Sequence, residues 1–195
     1  YVAMTLRMME QFGLTVKVAD SEGLSGKPMR EITVPAGQSA RAQNYAIEPD
    51  APNASYFLAA AAVCPGSAIT IEGLGVGSLQ GDVAFADVLH RMGAGLTFGR
   101  DFITVTGNGD LQGIDLDMNA IPDMVQTLAV VALFAKGTTR IRNVANLRVK
   151  ETDRLAALQA ELTKLGARVE TTQDSISITP PESGTLNPAS IATYD

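Results

Sequence analysis

The feature that most limits what this chain can fold into is that it repeats itself. Residues 54–64 (ASYFLAAAAVC) and 123–135 (DMVQTLAVVALFA) are each apolar around the whole circumference, the pattern of a helix packed on all sides. Each runs into a glycine turn, Pro65-Gly66 or Lys136-Gly137, and then a short strand at 69–71 or 139–141. A loop follows in both, and then an amphipathic helix at 82–92 or 153–165. Both amphipathic helices stop at the same signal, Met92-Gly93-Ala94 and Leu165-Gly166-Ala167, with glycine placed where helices end. Alternation across a polar turn then predicts two hairpins, 95–98 with 102–106 and 168–171 with 175–179.

One βαβαββ-like unit of α/β type thus occurs twice, at a spacing of about 70 to 73 residues. A partial copy stands in front, its helix ending at Gln11-Phe12-Gly13 and its last strand at 31–34. The expected organisation is a single lobe over 1–195: a partial unit at 1–44, complete units at 45–110 and 111–180, and 181–195 opening the next segment. The polar stretch 180–188 reads as a loop. With a helix already under way at Tyr1 and no tail after Asp195, the chain reads as a piece of a longer protein.

Composition narrows the function classes. With 46% hydrophobic and 18% charged residues the chain is globular rather than disordered. A net charge of −6 argues against a general nucleic-acid or anionic-membrane binder, yet leaves room for a local basic cluster that holds a small anion. No apolar run approaches the roughly 18 residues of a membrane helix. The single Cys64 rules out an internal disulfide and suits a reducing, cytoplasmic setting; in its alanine-rich run it reads as an inert buried thiol. One cysteine and one histidine, His90 on a surface helix, leave only carboxylates as metal ligands.

The repeat serves as a control, because what both copies share is fold and what one alone carries is a candidate for function. The stretch RVKETDR at 148–154 packs five charged side chains into seven residues. A solvated helix start is the plain reading of such a run. Under the 70-residue offset, however, Arg148, Lys150, Glu151 and Arg154 correspond to Ser78, Gln80, Gly81 and Ala84. Arg140 and Arg142 likewise correspond to Thr70 and Glu72. The fold therefore does not require these charges. Basic side chains at a strand–loop–helix junction suit a phosphate or carboxylate, Arg154 by its planar fork and Lys150 as a point charge. Asp123 is the second asymmetry. Standing where an apolar helix begins, it reads either as an N-cap or as an acceptor for a substrate hydroxyl. Asp82 reads as the cap of the first amphipathic helix, and the run Gly73-Leu74-Gly75-Val76-Gly77 as turn glycines rather than a phosphate loop.

With these residues in view, the sequence resembles the C-terminal part of the 5-enolpyruvylshikimate-3-phosphate synthases. The stretch Arg148–Leu155, RVKETDRL, carries the resemblance, supported by 54–62, by Gln80-Gly81-Asp82 with 85–89, by 117–123 and by 134–138. The resemblance implies a two-lobed α/β protein, each lobe an inside-out α/β barrel of repeated βαβαββ units. It implies transfer of the enolpyruvyl group of phosphoenolpyruvate to the 5-hydroxyl of shikimate 3-phosphate, with no metal or organic cofactor. Motif by motif, Asp123 corresponds to the proton acceptor that binds the shikimate hydroxyls, and Asn146 and Lys150 to shikimate 3-phosphate ligands. Glu151 corresponds to an acid or base near the enolpyruvyl carbon, and Arg154 to a phosphoenolpyruvate ligand. Tyr1 matches a tyrosine near the shikimate phosphate. The family's N-terminal basic residues and the Asp-His-Arg that follows its Ala-Thr-Tyr lie outside this chain, so its partners include the other lobe as well as the two substrates. Two other readings are a non-catalytic lobe that binds anions or a protein, and the related UDP-N-acetylglucosamine enolpyruvyl transferase, which is not expected to carry KETDR.

Overall fold

The computed structural model describes residues 2–22 and 28–194. Tyr1 lies outside the described residues. The chain divides after Ile47 into two compact units, three residues beyond the boundary drawn from the sequence between 44 and 45.

The smaller unit holds α1 (Val2–Gln11), β1 (Lys17–Glu22) and β2 (Pro28–Thr33). The strands pair antiparallel, Lys17 opposite Thr33. The sequence signalled the helix and the second strand but not β1, whose Lys-Val-Ala-Asp-Ser-Glu run has little apolar alternation; pairing makes it a strand.

In the larger unit α2 (Ala51–Val63) and α4 (Val125–Ala132) are the two apolar helices, with α3 (Phe85–Arg91) and α5 (Arg154–Lys164) the amphipathic ones. The strands are β3 (Ala68–Glu72), β4 (Gly95–Phe98), β5 (Phe102–Thr106), β6 (Asp115–Asp117), β7 (Thr139–Arg142), β8 (Arg168–Thr171) and β9 (Ile176–Thr179). They form two sheets, ordered β3-β5-β4 and β6-β7-β9-β8. Both predicted hairpins are present, with Leu96 opposite Val105 and Val169 opposite Ile178. β6 lies parallel to β7, and every other pairing in these sheets is antiparallel. Residues 45–47, the counterparts of β6, carry no strand, so the second copy is βαβαββ and the first is αβαββ.

Strand alternation drives the packing. Ile103 and Val105 of β5, Ile141 of β7 and Ile176 and Ile178 of β9 are all but fully buried, and join one apolar core with Leu58, Leu128 and Val131. Fully burying such a side chain contributes about 1.5–3 kcal/mol, so this core carries the fold. The hydroxyls of Ser55 and Thr127 meet at 3.0 Å where α2 faces α4. The repeated helix endings follow one rule. Gly93 (φ 116°) and Gly166 (φ 94°) occupy the left-handed position just past α3 and α5. The Gly93 and Ala94 amides then donate to His90 and Leu89 (2.9 and 3.0 Å), and those of Gly166 and Ala167 to Thr163 and Leu162 (3.0 and 3.3 Å).

Several expectations need correction. Neither apolar helix is packed on all sides, since Tyr56, Phe57, Val130 and Phe134 are exposed. Cys64 is exposed, because it follows the last turn of α2 and leads into the Pro65-Gly66 turn rather than the core. Asp82 caps nothing: it sits inside a 3-10 helix (Gly81–Ala84), with Gln80 and Ala84 in the cap positions and α3 starting only at Phe85. The glycines at 73–77 form a turn against the β4–β5 connection, with the Val76 amide donating to Gly99 (3.0 Å).

Candidate active site

Two segments of the second copy bring the candidate residues together. The first leads from β6 into α4 and carries Asp123; the second leads from β7 into α5 and carries RVKETDR. Parallel pairing of β6 with β7 sets them side by side, and side chains stitch them. The Asp117 carboxylate accepts from the Asn119 amide (2.8 Å) and from Asn143 Nδ2 (3.0 Å), while Asn119 Nδ2 donates to the Asn143 carbonyl (3.1 Å). Asn143 is the one described non-glycine residue with positive φ, 62°, a conformation asparagine tolerates.

Asp123 stands inside a 3-10 helix (Pro122–Met124), and Ile121 and Met124 hold the cap positions there and at α4. It is not the N-cap that its place in the sequence allowed. The tight turn instead aims its carboxylate at the other segment, where Oδ1 accepts from Arg154 Nη1 (2.9 Å) and pairs with Lys150 Nζ (3.3 Å). Arg154, the first residue of α5, also grips Glu151 in a fork, Nε to Oε1 at 2.6 Å and Nη2 to Oε2 at 2.8 Å. Gln126 completes the setting. With its amide oxygen turned to Arg154 it accepts from Nε at 3.1 Å and Nη1 at 2.9 Å, the orientation that satisfies both groups.

The side chains of Asp123 and Arg154 are each only 19% exposed, so this pair interacts in a medium far less screening than water. Hydrogen bonds from Arg154, and then the residue's own backbone, hold the Glu151 carboxyl below its ordinary range. Glu151 in turn raises the Arg154 guanidinium. Asp82 is raised above the usual aspartate value by burial first and by the Asp123 charge second. Two carboxylates and two cations thus balance one another. An anion entering here has a fixed guanidinium and an ammonium to bind, and must part Glu151 from Arg154 to use the fork. Held in this way the Glu151 carboxylate is a weak base, and it can exchange a proton only once a ligand has drawn Arg154 away.

Arg148 does not join this cluster. Its Nη1 donates to Asp153 Oδ2 (2.8 Å), its Nε to the Gln173 carbonyl (3.0 Å) and its Nη2 to the Thr172 carbonyl. Asp153 is the N-cap of α5, accepting from the Ala156 amide at 3.0 Å, and that bond with Arg148 lowers its pKa. Arg142 is taken up by Asp115 and Arg140 lies exposed, so the basic clamp expected from the charge run reduces to Lys150 and Arg154. Asn146 stands exposed on the 3-10 helix Ala145–Val149, with no hydrogen bond to Lys150, Glu151 or Arg154 among the described residues. Gln126 was missed in the sequence, although its i,i+3 spacing from Asp123 placed both on one side of the helix start.

A sequence model of the EPSP synthase (3-phosphoshikimate 1-carboxyvinyltransferase) family matches residues 1–195. The chain belongs to the EPSP synthase family. Proteins named 3-phosphoshikimate 1-carboxyvinyltransferase from Escherichia coli O139:H28 and Shigella boydii serotype 18 are each 48% identical to it over 196 residues, covering 100% of this chain and 43% of theirs. The chain therefore spans less than half the length of these relatives. Among solved structures, the EPSP synthase of Acinetobacter baumannii matches with a TM-score of 0.71 at 27% identity, over 89% of this chain and 39% of that one. The enolpyruvyl transferase NikO from Streptomyces tendae shares the fold, with a TM-score of 0.60 at 19% identity over 90% of this chain and 39% of its own. The α/β architecture read from the repeat is thus that of the enolpyruvyl transferases. No helix among the described residues is long and apolar enough to cross a membrane, in line with the apolar run lengths.

Proposed function

We propose that the parent of this EPSP synthase chain transfers the enolpyruvyl group of phosphoenolpyruvate to the 5-hydroxyl of shikimate 3-phosphate and releases phosphate, in the cytoplasm. The observation that carries the reading is the convergence of Asp123, Lys150, Glu151 and Arg154, present in one copy of the repeat and absent from the other. Both substrates are polyanions, and the reaction needs one proton delivered to the methylene carbon of phosphoenolpyruvate and others removed, from the attacking hydroxyl and later from the new methyl group as phosphate leaves. In this reading Arg154 binds phosphoenolpyruvate, whose anionic groups displace Glu151 from the fork. Lys150 and Asn146 bind shikimate 3-phosphate, and Tyr1 adds a contact to its phosphate. Asp123 accepts the proton of the attacking hydroxyl, and Glu151, once parted from Arg154, exchanges a proton with the enolpyruvyl carbon. The remaining ligands belong to the part of the parent that this chain lacks.

The test is phosphate release by the full-length parent, which is expected to require both substrates together and to yield an enolpyruvyl ether. The isolated 195-residue chain is expected to fold without turning over. Turnover by the parent with UDP-N-acetylglucosamine in place of shikimate 3-phosphate would overturn the reading.

A further inference from the structure

We propose that Arg148 is a positioning residue, which fixes the loop bearing Lys150 and Glu151 and touches no substrate itself. The inference rests on the functional reading above, since it concerns how that site is held.

The loop has little structure of its own. Leu147 before it is fully buried and Asp153 after it is a helix cap, but Val149 between them is 83% exposed. Among the described residues, none of the backbone amides of residues 150–152 reaches another backbone carbonyl. Such a segment keeps one conformation only if its ends are fixed and its width is set. The Arg148–Asp153 ion pair sets the width by closing the loop across its base. The other donors fix it to something rigid, because the Thr172 and Gln173 carbonyls lie in the β8–β9 turn. That turn is braced by the Thr172 amide donating to the Ser175 carbonyl (2.9 Å), by the Thr172 hydroxyl donating to Asp174 (3.0 Å), and by the Val144 amide donating to the Asp174 carbonyl (2.9 Å).

The first copy shows what the loop does without this staple. Ser78, at the place of Arg148, closes a tight turn within its own loop, its Oγ accepting from the Gly75 amide (2.9 Å) and its own amide donating to the Gly75 carbonyl (3.0 Å). The rest of that loop meets the β4–β5 turn through backbone amides, Val76 donating to Gly99 (3.0 Å) and Gly77 to Arg100 (3.3 Å); in the second copy an arginine side chain makes the link to the corresponding β8–β9 turn. The three acceptors are met by three different nitrogens of one planar fork, a spread that the single nitrogen of lysine does not reproduce.

The test uses the full-length parent and binary titrations of each substrate. Arg154 is carried by α5 and Lys150 by the loop, so Arg148→Ala is expected to weaken shikimate 3-phosphate about 10-fold, the scale of one charged hydrogen bond. It is expected to change phosphoenolpyruvate less than about 2-fold, a split that general destabilisation does not produce. In a Lys150→Met background the same substitution is expected to add less than about 2-fold, because its effect passes through Lys150. Arg148→Lys, which keeps the charge, is expected to shift shikimate 3-phosphate in the same direction by less, and serves if the alanine variant is too unstable to titrate. Wild-type affinity in both Arg148 variants, or a full additional loss in the Lys150→Met background, would overturn the proposal. A wild-type parent that binds neither substrate would overturn the functional reading, and this one with it.

Discussion

The two copies of the repeated unit solve one joining problem by different chemistry. In each, the loop before the amphipathic helix reaches back to the entrance of the central apolar helix. In the first copy the reach is made by Gln80. Its Nε2 donates to the Pro49 carbonyl (2.7 Å) and to Glu48 Oε2 (3.1 Å), and its Oε1 accepts from the Ala51 amide (2.9 Å). In the second copy Lys150 makes the same reach and finds Asp123, with Arg154 beside it. The first link carries no cation: the Gln80 amide joins the Glu48 carboxylate, the Pro49 carbonyl and the Ala51 amide. The charged link is satisfied by groups that an anion or a hydroxyl can exchange. On the proposed function, exchangeable partners stand in the second copy where the first has fixed ones, on a frame that the two copies largely share.

The comparison breaks most sharply at Asp123. In the full-length parent Asp123→Asn is expected to lower turnover by about 10²-fold or more, the scale of general acid–base contributions. The residue holds neither cap position of its helix, so the substitution removes no helix cap, but it takes a counter-charge from Lys150 and Arg154 and some loss of stability accompanies it. Steady-state turnover and thermal unfolding on one preparation decide it, and near-wild-type turnover would reduce Asp123 to a structural partner of Lys150 and Arg154.

Arg154→Lys comes next. Losing the fork is expected to weaken phosphoenolpyruvate by about 1–3 kcal/mol, and shikimate 3-phosphate by less. Calorimetric titration of each ligand would show it; equal losses would mean that Arg154 serves both.

The exchange of link chemistries follows. Lys150→Gln writes the first copy's residue into the second, and is expected to cost about 1–2 kcal/mol in shikimate 3-phosphate binding while sparing the melting temperature. The converse probe, Gln80→Ala, is expected to destabilise the fold by a similar ~1–2 kcal/mol, because it orphans the Ala51 amide, and to leave substrate affinity alone. Chemical denaturation of both variants separates the two roles. A Lys150→Gln protein that unfolds early would show that the charged link is structural after all.

The smallest effect is in pH dependence. Arg154 holds the Glu151 carboxyl low, so the contribution of Glu151 to stability is present above its unfolded pKa, about 4.3, and is lost as pH falls through the lower folded value. Glu151→Gln is expected to flatten that acid limb slightly without moving stability near neutrality. An unchanged acid limb in the variant would mean that the Arg154 fork does not persist in solution.

Much of the frame was legible. The shared Met-Gly-Ala and Leu-Gly-Ala endings predicted both helix stops, because a left-handed residue with two back-bonded amides is a local event that glycine alone specifies. The hairpins were legible for the same reason, since period-2 alternation is local. What escaped was whatever depends on distant chain. The stitching of Asp117, Asn119 and Asn143 gives no signal at a separation of 24 to 26 residues. Cys64 was read as buried from its apolar neighbours, but burial is decided by what lies across from a side chain.

The charge run shows the division most plainly. By itself the sequence determined that the places of Arg148, Lys150, Glu151 and Arg154 can be filled without charge, because the twin does so with Ser78, Gln80, Gly81 and Ala84, and that the run stands at a strand–loop–helix junction. Local context did not sort the three basic residues among themselves; only the family resemblance set Lys150 and Arg154 apart from Arg148. The tertiary structure sorted them by what each could reach. Two backbone carbonyls at the tip of the β8–β9 turn took Arg148, and the carboxylate of Asp123, turned outward by its 3-10 helix, drew Lys150 and Arg154. A cation goes to the acceptors within its reach, and the positions of those acceptors are set by strand pairing rather than by neighbours in the chain.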